Sequence, residues 1–290
     1  MFSVKSMCRA LRIHSSGFYA FLKRGQSARR VRDEELKDHV KHHFDKGRRL
    51  YGSTRIHQAL QAEGEPCSRK RVTRLMNEME LTVRVPKKWV RTTNSSHSLP
   101  LSPNRLNREF KVEQVPGLNR VWAGDISYIW TAEGWLYLAV VLDLKSRRVI
   151  GWSMAATLEQ PLVQDALTMA IQCRGLKPVD QRKTDHISEE ESLLFHSDRG
   201  GQYAGHSFRL QLETFGIEPS MSGKGDCWDN APVESFFATL KKELVYREHY
   251  ATREQAKASL FEYIEGFYNR IRMHSALGYD SPLKYETNLL

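Results

Sequence analysis

The stretch VWAGDISYIW, Val121–Trp130, decides the fold. Its aromatic and β-branched residues predict a strand. An Ala132-Glu133-Gly134 turn leads into WLYLAVVLDL, Trp135–Leu144, which is almost continuously apolar. Lys145-Ser146-Arg147 then turns the chain into RVIGWSM, Arg148–Met154. Three strands joined by short turns predict an antiparallel meander.

Downstream, Thr157-x-x-Gln160 reads as a capping box. It opens a helix with Leu162, Val163, Ala166, Leu167, Ala170 and Ile171 on one stripe, closed near Gly175. After a polar loop, LLFHS at Leu193–Ser197 reads as a buried strand, followed by a helix over about 207–214 and a short strand in IEPSMS. Asn230 is placed to cap a helix with Pro232 in its first turn and Val233, Phe236, Phe237, Leu240 and Leu244 inside. Thr252-x-x-Gln255 opens a last long helix carrying Leu260, Ile264, Phe267 and Ile271. The order βββ-α-β-α-β-α-α predicts an α/β domain over residues 119–290, a mixed sheet flanked by helices.

Residues 1–83 read as all-helical. Two short helices in 3–24 flank a turn at Ile13-His14-Ser15-Ser16, with a serine as N-cap, and another helix spans about Asp33 to Asp45. Gly52-Ser53-Thr54 opens a helix carrying Ile56, Ala59 and Leu60. Gly64-Glu65-Pro66 breaks it, and Ser68 caps a second helix with Val72, Leu75, Met76 and Met79 inside. Arg69, Lys70, Arg71 and Arg74 crowd the first turns of that helix. A helix–turn–helix of this kind suits the major groove of double-stranded DNA. The plainer reading is a small bundle with a solvated basic face. Residues 84–118, rich in Pro, Ser, Thr and basic residues, read as a linker lying along DNA.

Charge supports a nucleic-acid partner. The net charge is +10, and residues 1–120 hold 26 Lys+Arg against 11 Asp+Glu, while 121–290 hold 18 against 23. The front suits phosphates, and the back holds surplus carboxylates. Cys8, Cys67, Cys173 and Cys227 form no CxxC pair, which argues against a zinc ribbon or a disulfide scaffold. No apolar run approaches the ~18 residues of a membrane span. A cytoplasmic, nucleoid-associated protein is expected.

Most acids of the back half have ordinary explanations. Asp143 sits where a strand meets a turn, and Asp165, Glu243, Glu262 and Glu265 read as solvated helix positions. Three resist this treatment. Asp125 interrupts a strand, where an unpaired carboxylate is costly to bury. Asp198 ends a separate buried strand and is followed by Gly200 and Gly201, which allow close approach. Glu234 lies in the first turns of a helix beside its apolar stripe. A mid-strand Asp, a strand-end Asp and a helical Glu can converge at one sheet edge, and divalent cations relieve their repulsion. Oxygen ligands without a Cys/His cluster select Mg²⁺, with Mn²⁺ as substitute, and suit phosphoryl transfer by two ions. Lys241 follows Glu234 by seven residues, nearly two helical turns, so it shares that side and is placed to meet a DNA phosphate. Its plainer reading is a surface lysine.

DISYI around Asp125, HSDRGGQY around Asp198 and DNAPVESFFATLKKE around Glu234 resemble the catalytic signature of bacterial insertion-sequence transposases of the OrfB type, within the DDE transposase and retroviral integrase superfamily. Thirty-five residues separate Asp198 from Glu234, as in the family's pattern. YNRIRMHSALGYDSPLKYE and YGSTRIHQAL resemble its C-terminal motif and upstream helical domain. The resemblance implies a ribonuclease H-like core with Asp125, Asp198 and Glu234 as metal ligands and Lys241 as a DNA contact. It also implies cleavage at element ends to expose a 3′-hydroxyl, attack of that hydroxyl on another phosphodiester, a homo-oligomer on DNA, and an OrfA partner or fusion. No sustained heptad begins the chain, so it resembles the OrfB portion alone. The competing reading is a catalytically inactive DNA-binding regulator of transposition.

Overall fold

A computed structural model describes residues 3–83, 102–106, 108–179, 192–223 and 230–290. The chain divides into two compact units, residues 1–83 and 84–290.

The first unit is helical: α1 (Val4–Ala10), α2 (Ser15–Lys23), α3 (Ala28–Lys46), α4 (Ser53–Ala62) and α5 (Arg69–Glu78). His14, not a serine, caps α2, its Nδ1 accepting from Ser16 N at 3.3 Å. Ser27 caps α3, which therefore starts before Asp33. Leu36, Val40 and Phe44 of α3 bury against Ile56 and Leu60 of α4 and Val72, Leu75 and Met76 of α5. α4 and α5 form the anticipated helix–turn–helix, with Ser68 capping α5.

The second unit is built on a mixed five-stranded sheet, order β3-β2-β1-β4-β5. Its strands are β1 (Val121–Thr131), β2 (Gly134–Asp143), β3 (Val149–Ala155), β4 (Leu193–Ser197) and β5 (Ile217–Met221). The meander β1-β2-β3 is antiparallel, and β4 and β5 join parallel beside β1. α6 (Gln160–Arg174), α7 (Gly201–Ala204) and α8 (His206–Thr214) cover one face, over Trp122, Ala139, Val141, Ile150 and Phe195. α9 (Ala231–Glu243) and α10 (Arg253–Phe261) pack on β1 and β1–β2. A π-helical segment, Glu262–Tyr268, continues α10, and α11 (Pro282–Leu289) ends the chain.

Three local expectations differ. Thr157 caps nothing: α6 starts at Gln160, whose Oε1 instead accepts from Ser207 Oγ at 2.8 Å. Asn230 is the N-cap of α9 without a capping bond. The last helix widens into the π turn and stops, which leaves Ile271 exposed.

The linker expected over 84–118 lies partly outside the described residues. Its described part belongs to the second unit and packs beside the sheet. Leu106, Val112 and Val115 are buried, and Lys145 Nζ donates to the carbonyls of Val112 and Val115. Pro103 O accepts from Met221 N, and Arg105 N donates to Ser220 Oγ, alongside β5.

Candidate active site

Sheet register brings the two aspartates together. Gly124 of β1 and Ser197 of β4 are Cα partners in a parallel pair, so the next residues, Asp125 and Asp198, stand side by side where β4 ends. Neighbouring strands run about 4.8 Å apart. Trp122 belongs to the core under α6 and Ile126 packs against it, so alternation turns Asp125 to the α9 side of the sheet.

Asp125 Oδ1 accepts from Ile126 N at 2.8 Å, and Asp198 Oδ1 accepts from Gly200 N at 2.9 Å. A Cβ on Gly200 would stand 3.0 Å from that Asp198 oxygen, so this glycine permits the turn. Asn230 Nδ2 donates to Gly124 O at 3.2 Å and ties the start of α9 to the strand that carries Asp125. Glu234 is exposed in the first turn of α9, and Lys241 is half-buried two turns on.

Electrostatics couple these groups. Burial, then the charges of Asp198 and Glu234, push the Asp125 carboxyl well above the usual carboxylate range; the Ile126 N–H and Lys241 oppose this. Burial and Asp198 raise Glu234. Burial lowers Lys241, and the Asp125 charge works against that fall. Among the described residues, no three His, Cys, Asp or Glu side chains are gathered so as to hold a metal ion. The donor set still fits a hard dication: the charge of Asp198 raises the proton affinity of both Asp125 and Glu234, the repulsion that a bound cation relieves.

His196 and Arg199 order the loop. His196 is fully buried, with Nδ1 2.9 Å from Ser220 Oγ and Nε2 3.3 Å from Ser222 Oγ. Arg199 Nε donates to Ser222 O at 2.6 Å. Sequence reasoning missed Tyr203, which is buried against Phe195 and raised well above its ordinary value by burial and then by the charges of Asp125 and Asp198. The apolar spacing of Phe195, Tyr203 and Phe208 was the available signal.

In the first unit the basic residues of α5 divide. Arg71 Nε and Arg74 NH2 each donate to Asp33 of α3 at 2.7 Å, and Arg74 also pairs with Glu78. These bonds hold Asp33 below the ordinary carboxylate range. Arg69, Lys70, Thr73 and Asn77 are exposed on α5, as is Glu78, the partner of Arg74.

Two acids read as ordinary are structural centres. Asp143 is fully buried and accepts from Asn119 N and Lys145 N at 2.9 Å, and Arg174 pairs with it. Burial nonetheless raises it. Glu243 accepts both prongs of Arg272 at 2.8 Å and the Tyr263 hydroxyl at 2.7 Å. No helix among the described residues is long and apolar enough to cross a membrane.

Comparison with known proteins agrees with this architecture. Residues 116–227 and 234–290 match two family models described as integrase core domains, and residues 31–89 match an HTH-like domain. "Transposase InsF for insertion sequence IS3A" of Escherichia coli (strain K12) is 40% identical across 100% of this chain and 96% of its own. "Insertion element IS600 uncharacterized 31 kDa protein" of Shigella sonnei is 38% identical over 96% of this chain and 97% of its own. The HTLV-2 integrase catalytic core domain in complex with magnesium is a structural neighbour, with TM-score 0.41 and 16% identity over 58% of this chain and 96% of that one. The sheet and its helices resemble ribonuclease H-like integrase and transposase cores, preceded by a helical HTH-like region.

Proposed function

The chain belongs to the insertion-sequence transposase family that includes InsF, and we propose that it cuts DNA at element ends and joins the freed 3′-hydroxyl to a second phosphodiester at the Asp125–Asp198–Glu234 site. The observation that carries this reading is the pairing of Gly124 with Ser197, which sets two carboxylates side by side, with the charge of Glu234 raising Asp125 and that of Asp198 raising Glu234.

Asp125, Asp198 and Glu234 would hold Mg²⁺ or Mn²⁺. Bound there, two such ions supply Lewis acidity for the attacking oxygen and neutralise charge on the leaving one. In cleavage, water attacks phosphorus and the 3′-oxygen leaves as a hydroxyl. In joining, that hydroxyl attacks a new phosphorus and displaces another 3′-oxygen. Lys241 donates to a phosphate oxygen beside the acids and offsets charge in a partly desolvated place. The Asp198–Gly200 turn, braced by Arg199, fixes the second carboxylate.

Double-stranded DNA, as element ends and target, is the substrate. Two ends must be held at once, so a homo-oligomer assembled on DNA is expected. An OrfA protein, as partner or fusion, would add to end recognition. Reading of the ends falls to α5 through Arg69, Lys70, Thr73 and Asn77, while Arg71 and Arg74 brace the helix against Asp33. The test is a cleavage and joining assay on duplex oligonucleotides with Mg²⁺ or Mn²⁺, using wild type, Glu234→Gln and Asp125→Asn. Both variants should bind DNA like wild type and lose cleavage and joining by at least a thousandfold. Wild-type joining by Glu234→Gln would remove the site assignment. A wild-type protein that binds ends but neither cuts nor joins would be a regulator.

A further inference from the structure

α9 carries Glu234 near its start, Lys241 further on and Glu243 as its last residue. A carboxylate at a helix C-terminus meets the negative end of the macrodipole. Here that carboxylate is also nearly buried, its side chain 12% exposed, and its partner Arg272 is 7% exposed. Such a pair is poor support for stability, because apolar residues of similar volume usually serve as well. Its geometry is specific. Arg272 Nε and NH2 donate to the two oxygens of Glu243 at 2.8 Å, NH1 lies 3.0 Å from His274 Nε2, and the guanidinium stands 5.8 Å from the Tyr268 ring centre. A lysine cannot make this fork.

The other end of the connection is fixed to the sheet. Asn269, three residues before Arg272, accepts from Val149 N at 3.0 Å and donates to Val149 O at 2.9 Å. The Tyr268 hydroxyl donates to Arg147 O at 3.1 Å. A short rigid path therefore runs from β3, through Asn269 and Arg272, to the end of α9. The start of α9 is tied to β1 by the Asn230–Gly124 bond. One anchor sets where the helix begins; the second sets how it is rotated and how far it slides.

We propose that Arg272 is a positioning residue for the acidic site: its forked bond to Glu243 fixes the rotation and axial position of α9, and thereby the place of Glu234 and Lys241 against Asp125 and Asp198. This rests on the reading of those acids given under Proposed function. Arg272 touches neither DNA nor the reacting atoms in this role.

The test uses the full chain and three variants. Arg272→Lys keeps the charge and loses the fork. Glu243→Leu with Arg272→Met removes the pair and keeps the volume. Glu234→Gln reports on the site itself. Three quantities are measured: duplex DNA affinity without metal, the rise in Tm on adding Mg²⁺, and the joining rate against Mg²⁺ concentration. The pair-removal variant should fold and bind DNA as wild type does. Its Mg²⁺-induced Tm rise should shrink by half or more, its half-saturating Mg²⁺ should increase at least threefold, and its joining rate should fall at least tenfold. Arg272→Lys should fall between it and wild type. A folded pair-removal variant with wild-type Mg²⁺ response and rate would overturn the proposal. If that variant does not fold, a wild-type response in Arg272→Lys overturns it equally. Failure of both to fold makes the pair a folding requirement and overturns the positioning role. An active Glu234→Gln would instead overturn the site reading; an inactive one beside unaffected Arg272 variants overturns this proposal alone.

Discussion

Gly124 and Ser197 face each other across the parallel β1–β4 pair, and the juxtaposition of Asp125 and Asp198 follows from that one register. A slip by one residue would turn one aspartate to the other face. Correct pairing instead crowds like charges, a cost that the protein without metal must carry.

That cost is measurable against pH. The carboxyls of Asp125 and Glu234 are raised in the folded protein, so the folded state binds their protons more tightly than the unfolded state does. Their contribution to stability therefore falls as pH rises from the ordinary carboxylate range through their raised values, and it returns on acidification. In a chelator, Asp125→Asn should raise Tm at neutral pH, and its advantage over wild type should shrink as pH falls. Mg²⁺ should raise the Tm of wild type and do so less for the variant. Thermal melts across pH, with and without Mg²⁺, check this; a Tm for Asp125→Asn below wild type at neutral pH in chelator would contradict it.

The division of labour on α5 predicts two kinds of variant. Arg69→Ala and Lys70→Ala should leave Tm unchanged, weaken duplex binding and lower the slope of log affinity against log salt by about one each. Arg71→Ala should lower the Tm of the first unit, because it removes a partner of Asp33 that is 11% exposed at its side chain. Melting curves and a salt titration of binding separate the two. An unchanged salt slope in the Arg69→Ala, Lys70→Ala double variant would move the DNA surface elsewhere.

A third prediction concerns the end of the chain. Glu286 of α11 accepts from Ser146 Oγ and Arg148 NH1 at 2.7 Å and pairs with Arg174 of α6. Burial raises its carboxyl, but the bonds from Arg174, Ser146 and Arg148 outweigh burial and hold it below the ordinary value. Glu286→Ala leaves Arg148, Arg174 and Ser146 without their shared partner and should cost about 3–5 kcal/mol. Chemical denaturation measures it, and a loss under about 1 kcal/mol would show that the network relaxes around the gap.

The meander was legible because β1 and β2 bury one or both faces, and long apolar strands leave a plain trace in composition. Asp125 and Asp198 were legible for the opposite reason: a carboxylate has no local use inside such a strand. Glu243 and Asp143 were misread because their positions, a helix end and a turn, are ordinary places for acids. Their partners lie 29 and 31 residues away, at Arg272 and Arg174, and no local pattern announces a bond across that distance. Asn230 misled in a similar way, since a side chain that suits a cap was drawn to the carbonyl of Gly124. The π turn after Phe261 carries Tyr263, Phe267 and Tyr268, and the Tyr268 ring meets Phe236 of α9, a tertiary contact that helical periodicity does not record.

The segment beside β5 has a bearing on solubility. β5 is an outer strand, and an outer strand offers unpaired amides on which another chain can grow. Here Pro219 interrupts that row, Pro103 takes the Met221 amide, and Arg105 pairs with Glu218 and bonds to Ser220. Residues ahead of the core thus act as a cover strip over the sheet's open margin. A fragment trimmed to residue 119 would keep every acid of the site and lose that cover, leaving a bare margin prone to intermolecular strand pairing and aggregation.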